Sequence, residues 1–155
     1  MTVYMVRHAD AKSRSSWAGA DKLRPLSTKG QRQADALPSL LADGDVRRII
    51  SSPAVRCIDT LRPLADKHGI KVLVEPALFE GADGKEALAI VLDAARKKGD
   101  SVLCTHGDLV PDVLRRLARH GLVVHGGPRW PKGSTWVLSG DASGLRDARY
   151  LAPPA

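Results

Sequence analysis

Short apolar runs alternate with longer amphipathic stretches along most of the chain. Runs rich in valine, isoleucine and leucine predict buried strands, and apolar residues at every third or fourth position predict helices with one buried face. This alternation predicts a three-layer α/β fold, with a mostly parallel central sheet and helices on both faces. The predicted strands are residues 2–6, 47–51, 71–74 and 101–105, and helices are predicted to start near residues 29, 53, 84 and 109.

Several side chains mark where the predicted helices begin and end. Thr28 and Gln31 fit a capping box at the start of the first helix. Ser52, directly before a proline, fits the N-cap of the second helix, and Gly69 fits its end. Pro38 lies inside the first helix and is expected to bend or divide it.

Two segments lack helical or strand patterning. Residues 11–24 are polar and irregular, and residues 121–132 are rich in glycine and proline, so both are predicted to be loops. Residues 134–150 predict a terminal hairpin. Neither a linker nor an internal repeat is visible, and a length of 155 residues suits one domain over residues 1–155.

Composition supports a packed, reduced protein. Hydrophobic residues make up 43% of the chain and aromatic residues only 4%, so aliphatic side chains must fill the core. Two cysteines, Cys57 and Cys104, lie in apolar-patterned segments and are predicted to be buried thiols. No apolar run is long enough to cross a bilayer, and charged residues replace the apolar stretch of a signal peptide near the N-terminus. These features predict a cytoplasmic protein that does not associate with membranes.

The formal net charge of +7 favours anionic partners. Phosphorylated metabolites, acidic proteins and nucleic acid all fit this charge, and so does a basic surface that is merely solvated. No nucleic-acid recognition motif accompanies the charge, so specific nucleic-acid binding is not expected.

Histidines and arginines follow three predicted strands at the point where each strand ends. Arg7 and His8 close the first strand, Arg56 lies just after the second, and His106 follows the fourth. In an open α/β sheet, ligands bind outside the carboxyl ends of the strands. We therefore expect these four side chains to meet in one crevice.

The set suits phosphoryl transfer. A neutral imidazole is a competent nucleophile near neutral pH, and arginines neutralise the non-bridging oxygens of a phosphoryl group. Each residue alone also has a plain structural explanation: a histidine at a strand end packs in many proteins, and Arg56 fits an exposed first helical turn. The joint placement at three strand ends carries the prediction.

Four segments resemble, in the same order, motifs of the histidine phosphatase superfamily, which has the phosphoglycerate mutase-like fold. Residues 6–9 resemble its Arg-His-Gly signature. Residues 51–60 resemble its second motif, in which a serine precedes the phosphate-binding arginine and a threonine follows it. Residues 105–108 resemble the motif of its second histidine, and residues 78–80 fall where the family often places an acid. The resemblance spans nearly the whole chain.

This resemblance implies a role for each matched residue. His8 would be the phosphorylated nucleophile, and Arg7, Arg56 and His106 would bind the phosphoryl group, with Gly107 beside them. Glu80 would donate a proton to the leaving group, although a solvated loop carboxylate is the alternative. The catalytic set is therefore His8, Glu80 and His106, and the phosphoryl-binding set includes Arg7, Arg56 and Gly107.

Within the superfamily the chain resembles its small branch. Residues 24–27, Gly30 and residues 33–34 resemble the compact bacterial protein-phosphohistidine phosphatases. Residues 104–107 and 132–138 resemble the phosphatase domain that follows a Nudix domain in two-domain nucleotide-sanitising proteins, although no Nudix region is present.

Two departures from the family pattern bear on activity. Ala9 replaces the usual glycine, which a negative φ would tolerate. Arg14 stands where the mutases often carry asparagine, and the long insertions that shape a mutase pocket are absent. Hydrolysis is therefore favoured over mutase activity.

The substrate remains open at the level of sequence. Lys12, Arg14 and Arg24 could hold further phosphates, while Trp17 and Trp130 could either stack on a base or cover the core. We expect a small phosphorylated substrate such as a nucleotide, with a phosphohistidine protein as the nearest alternative and a catalytically silent phosphate-binding module as another. No motif indicates a metal site or a cofactor.

Overall fold

A computed structural model describes residues 2–154 of the chain. Its strands are β1 (Thr2–Arg7), β2 (Val46–Ser51), β3 (Val72–Val74), β4 (Asp100–Thr105), β5 (Val123–His125), β6 (Thr135–Asp141) and β7 (Gly144–Leu151). Its helices are α1 (Thr28–Leu40), α2 (Val55–His68), α3 (Gly84–Arg96) and α4 (Leu109–Arg119). Three short 3-10 turns cover Arg14–Ser16, Asp21–Leu23 and Pro76–Leu78.

The strands form one mixed sheet in the order β3-β2-β4-β1-β6-β7-β5. Strands β3, β2, β4 and β1 are mutually parallel, whereas β6 runs antiparallel to both β1 and β7. Residues of α3 and α4 pack on one face of the sheet and residues of α1 and α2 on the other. The structure confirms the predicted three-layer α/β fold.

The first helix differs from the prediction in two details. Its N-cap is Ser27, whose Oγ accepts a hydrogen bond from the Gly30 backbone, so the capping box predicted at Thr28 is wrong by one residue. Ser27 has the extended backbone that a cap requires, while Thr28 is already helical. Pro38 does not divide the helix, which continues to Leu40, because the proline falls in its last turn.

Two other predictions were also wrong. The second helix begins at Val55 rather than directly after Ser52, because the Ser52 hydroxyl faces a histidine of the site instead of capping the helix. The segment 121–132 is not only a loop, since β5 lies within it and pairs with β7. The end of α2 at Gly69 is confirmed, and this glycine has a φ of 63°.

The topology places β4 between β1 and β2, so the carboxyl ends of these three strands lie side by side. The residues that follow them therefore meet at one edge of the sheet. None of the helices in residues 2–154 has the length and apolar character needed to cross a membrane.

Candidate active site

A cavity of about 300 Å³ opens at this edge of the sheet. The loops after β1 and before α3 form its walls. Four of its lining side chains are positively charged and one is negatively charged, so its electrostatics favour an anionic molecule. Its lining residues are Arg7, His8, Ser13, Arg14, Arg24, Glu80 and Lys132.

His8 lies at the bottom of the cavity with 5% of its surface exposed. Its Nδ1 lies 2.8 Å from the carbonyl oxygen of Ala9. Because a carbonyl only accepts, Nδ1 carries the proton and donates it, and Nε2 keeps its lone pair. Burial, and then the positive charges of nearby groups, lower the pKa of His8 to about 3, although the Ala9 contact acts in the opposite sense. The ring is therefore neutral at pH 7, as a nucleophile must be.

His106 is fully buried and meets His8 edge to face, with ring centroids 5.4 Å apart. Its Nε2 lies 2.8 Å from Oγ of Ser52, and its Nδ1 lies 3.5 Å from Nη2 of Arg56. A guanidinium only donates, so Nδ1 accepts from Arg56 and the Nε2 proton is directed at Ser52. Phe79 packs against the same ring at a centroid distance of 5.7 Å.

Arg7 extends from the end of β1 beneath the backbone of Gly107. A Cβ atom at Gly107 would lie 2.6 Å from Cζ of Arg7, so only glycine leaves room for this guanidinium. Nη1 of Arg7 donates to the carbonyl oxygen of Trp130 at 3.0 Å, while its buried Nε has no hydrogen-bond partner. An oxygen-rich ligand could supply the acceptor that Nε lacks.

Arg56 is fully buried in the first turn of α2, so it is not the exposed helical arginine that the sequence allowed. Thr60 supports this turn, since its Oγ1 donates to the Arg56 carbonyl at 2.6 Å and accepts from the Ala9 backbone at 2.9 Å. The φ of Ala9 is negative, so a side chain is tolerated where the family has glycine. The Nε of Arg56 is also buried without a partner.

Glu80 lies across the cavity from the histidines with 39% of its side chain exposed. Both of its carboxylate oxygens lie 3.4 Å from Nη2 of Arg14, and Oε2 lies 3.6 Å from Nη2 of Arg56. The carboxylate thus stands beside the predicted phosphoryl-binding groups, within the same cavity.

Lys12, Arg14 and Arg24, which the sequence predicts to hold further phosphates, occupy different positions. Arg14 and Arg24 line the cavity, whereas the exposed side chain of Lys12 is not among its lining groups. The backbone carbonyl of Lys12 accepts a hydrogen bond from Arg24, which is 5% exposed. Lys132, which was not predicted, lies on the cavity wall.

Trp17 and Trp130, the two tryptophans that could stack on a base, make contacts within the protein. Trp17 folds back on its own loop, where its Nε1 donates to the Ala20 carbonyl at 2.9 Å. Trp130 packs against the core on the α3–α4 side, which agrees with the alternative that it covers the core.

Four residues of the site were missed at the level of sequence: Ser13, Asp21, Ser52 and Lys132. In the sequence Ser52 fits a helix cap. The other three lie in the loops after β1 and before β6, where no periodic pattern indicates the direction of a side chain. The position of Ser52 inside the matched motif of residues 51–60 is a signal that could have been used.

Residues 2–154 contain no cluster of three or more histidine, cysteine or acidic side chains with the geometry of a metal site. Both cysteines are free and buried, as expected. The site brings together the imidazoles of His8 and His106, several guanidinium groups, the Lys132 ammonium group and the carboxylates of Glu80 and Asp21.

Comparison with known proteins agrees with this geometry. The family model of the histidine phosphatase superfamily (branch 1) matches residues 3–87. The 8-oxo-(d)GTP phosphatase of Mycolicibacterium smegmatis is 36% identical over 156 residues, which cover 99% of this chain and 48% of the relative. This chain therefore spans about half the length of that curated relative.

Solved structures share the fold. The protein histidine phosphatase SixA complexed with tungstate superimposes with a TM-score of 0.76 at 21% identity, covering 98% of this chain and 95% of SixA. A mycobacterial glucosyl-3-phosphoglycerate phosphatase complexed with VO3 gives a TM-score of 0.73 at 17% identity, covering 99% of both chains.

Proposed function

The chain belongs to the histidine phosphatase superfamily, and from this membership we propose that it hydrolyses a phosphomonoester or a nucleotide phosphate through a phosphohistidine intermediate on His8. The observation that supports the proposal most strongly is the buried, neutral His8, whose Nε2 is free while its Nδ1 is held by the Ala9 carbonyl. We propose that residues 1–155 act as one phosphatase domain.

In the first step, the Nε2 lone pair of His8 attacks phosphorus and the bond between phosphorus and the leaving oxygen breaks. Arg7, Arg56 and His106 surround the transferred group, and the two guanidinium groups stabilise the charge on its non-bridging oxygens. Glu80 donates its proton to the departing oxygen. The products are the dephosphorylated substrate and phosphorylated His8.

In the second step, water attacks the phosphorus and the bond between phosphorus and nitrogen breaks. The ionised Glu80 accepts a proton from that water, and inorganic phosphate leaves. One carboxyl group thus serves as acid in the first step and as base in the second.

The positively charged side chains on the cavity wall favour a substrate that carries negative charge beyond the transferred group. Arg14, Arg24 and Lys132 line the same cavity as His8 but belong to its wall rather than to the phosphoryl-binding set. A nucleoside di- or triphosphate carries such further negative charge on its remaining phosphates. In addition, the 36% identical relative is an 8-oxo-(d)GTP phosphatase. We propose a nucleotide as the first candidate.

A phosphohistidine protein is the second candidate, because the fold is shared with SixA, a protein histidine phosphatase. A silent phosphate-binding module is disfavoured, since a module that only binds phosphate needs neither a neutral buried imidazole nor a carboxylate beside it. The two free cysteines support a reducing, cytoplasmic location.

The test is a turnover screen with nucleoside di- and triphosphates, sugar phosphates, an aryl phosphate and a phosphohistidine protein, run with a strong chelator present. We expect nucleotides to give the highest kcat/KM. Lys132→Ala should lower their kcat/KM by roughly 10-fold, the scale of one lost charge-assisted hydrogen bond, and affect the aryl phosphate less.

Arg47→Ala is the matched control, since Arg47 pairs with Asp45 on the surface, outside the cavity. Faster turnover of the phosphohistidine protein would make it the substrate instead. Absence of turnover in every arm would contradict the proposed enzyme.

A further inference from the structure

Asp21 contacts three arginines of the candidate site at once. Its Oδ1 lies 3.0 Å from Nε of Arg24 and 3.6 Å from Nε of Arg14. Its Oδ2 lies 3.2 Å from Nη2 of Arg56. No residue of the family motifs supplies this carboxylate, which comes from the 3-10 turn Asp21–Leu23 in the loop after β1.

The contact with Arg56 determines which edge of that guanidinium is free. Nη1 of Arg56 donates to the backbone carbonyl of Asp21 at 2.9 Å, and Nη2 donates to the carboxylate of the same residue. Asp21 therefore engages the terminal edge of Arg56. Nη2 also lies 3.5 Å from Nδ1 of His106 and 3.6 Å from Oε2 of Glu80, so the edge held by Asp21 is the one beside these two residues.

The turn that carries Asp21 is itself fixed. The backbone N–H of Arg24 donates to the Asp21 carbonyl at 3.0 Å, and the Arg24 side chain joins both the Asp21 carboxylate and the Lys12 carbonyl. Arg24 is buried while the Asp21 side chain is 42% exposed, so these contacts are partly shielded from solvent. An anchored carboxylate of this kind suits a permanent support for Arg56.

The charge of Asp21 is maintained at neutral pH. Partial burial opposes ionisation, but the hydrogen bond from Arg24 and the charges of Arg56, Arg24 and Arg14 hold the pKa of this carboxyl below its usual value.

We propose that Asp21 is a positioning residue that holds the terminal edge of Arg56, so that this guanidinium stays beside His106 and Glu80 to bind the transferred phosphoryl group. The inference rests on the proposed function, because it names a further residue for the same reaction. The rival account is that Asp21 competes with phosphate for Arg56 and must leave before substrate binds. The two accounts predict effects of opposite sign.

The experiment compares Asp21→Asn, which keeps the size but removes the charge, with Asp21→Glu, which keeps the charge. Asp45→Asn is the matched control, because Asp45 pairs with Arg47 at 3.1 Å on the surface. Binding of inorganic phosphate is measured by calorimetry, and kcat and KM are measured with an aryl phosphate. The fraction of folded protein is determined for every variant.

We expect Asp21→Asn to weaken phosphate binding by about 10-fold, the order of one lost charge-assisted contact. It should lower kcat by up to roughly 100-fold, the scale of a misplaced catalytic group. Asp21→Glu should recover part of the kcat loss, and Asp45→Asn should match the wild type. Stronger phosphate binding by Asp21→Asn would overturn the proposal in favour of competition.

Unchanged phosphate affinity and kcat in fully folded Asp21→Asn would also overturn it. A loss explained entirely by a smaller folded fraction would leave Asp21 a structural residue and contradict the proposal too. If the wild type hydrolyses nothing, the proposed function fails, but weaker phosphate binding by Asp21→Asn still supports the positioning of Arg56.

Discussion

The hydroxyl of Ser52 lies 2.8 Å from Nε2 of His106, and both side chains are fully buried. Ser52 also accepts a hydrogen bond from the Ala54 backbone at 3.2 Å, so its Oγ is fixed by the chain that leads into α2. This contact fixes the rotation of the imidazole and leaves Nδ1 facing Arg56. Ser52 thereby joins the motif of residues 51–60 to the motif of residues 105–108.

Ser52→Ala should leave Nε2 of His106 with only its weaker contact to Sγ of Cys57 at 3.6 Å and allow the ring to rotate. We expect kcat with an aryl phosphate to fall by roughly 10-fold to 100-fold, since misplacement of a catalytic group costs up to that much. Stability should also fall by about 1–3 kcal/mol, because a buried polar group loses its partner. Steady-state kinetics and urea unfolding measure the two effects.

Ser51→Ala is the control for Ser52→Ala. Ser51 is an equally buried serine. Its side chain makes one hydrogen bond, which its Oγ donates to the Ser52 carbonyl, and that bond does not involve His106. It should lose stability with a much smaller loss of kcat. Equal kinetic losses in the two variants would show that Ser52 has no special relation to His106.

Glu80→Gln should slow alkyl phosphates far more than aryl phosphates. A basic alkoxide needs a proton as it leaves, whereas a phenolate does not, so phosphorylation by an alkyl phosphate should slow by roughly 100-fold or more. Single-turnover rates are required, because breakdown of the phosphohistidine could mask the first step.

Glu86→Gln, in the first turn of α3, controls for the loss of a carboxylate outside the cavity. If Glu80→Gln slows both substrates equally, Glu80 holds Arg14 and Arg56 in place and does not act as the acid. If neither substrate slows, Glu80 has no part in the reaction.

The buried His8 also predicts how stability depends on pH. Its pKa is lowered from the ordinary 6.5 to about 3 in the folded protein, first by burial and then by nearby positive charge. Between these values the unfolded chain binds a proton that the folded chain does not, so acid favours unfolding. Stability should be unaffected by His8 above pH 6.5 and be lost as the pH falls towards 3.

His8→Gln removes the imidazole that binds this proton in the unfolded chain. Relative to that variant, the wild type should lose up to about 1.4 kcal/mol of unfolding free energy for each pH unit below about 6.5. Urea unfolding at pH 4.5, 5.5, 6.5 and 7.5 measures the difference. Parallel pH profiles for the two proteins would show that His8 is not held neutral.

Strands β1, β2 and β4 were predicted to within a residue or so because they are central and their apolar runs are continuous. Strand β5 was missed because all three of its residues are exposed and it pairs only with β7, at the edge of the sheet. The start of α1 was misplaced because adjacent hydroxyl residues, Ser27 and Thr28, both fit an N-cap, and only backbone geometry distinguishes them.

The meeting of His8, Arg7, Arg56 and His106 could be predicted because parallel strands bring their carboxyl ends to one edge. The contribution of Asp21 could not, since it depends on the path of the loop after β1. The same loop leaves the exposed Lys12 side chain outside the cavity lining, while the Lys12 carbonyl accepts a hydrogen bond from Arg24. Loop conformation thus decides the details that would set substrate choice.

The central claim is that His8 carries the phosphoryl group during turnover, and trapping that adduct tests it most directly. A single turnover is quenched with base, and the phosphorylated peptide is located by mass spectrometry. The account predicts a base-stable, acid-labile phosphate on His8, absent from His8→Ala and formed more slowly in His106→Ala. Phosphate trapped on any other residue, or full activity in His8→Ala, would contradict it.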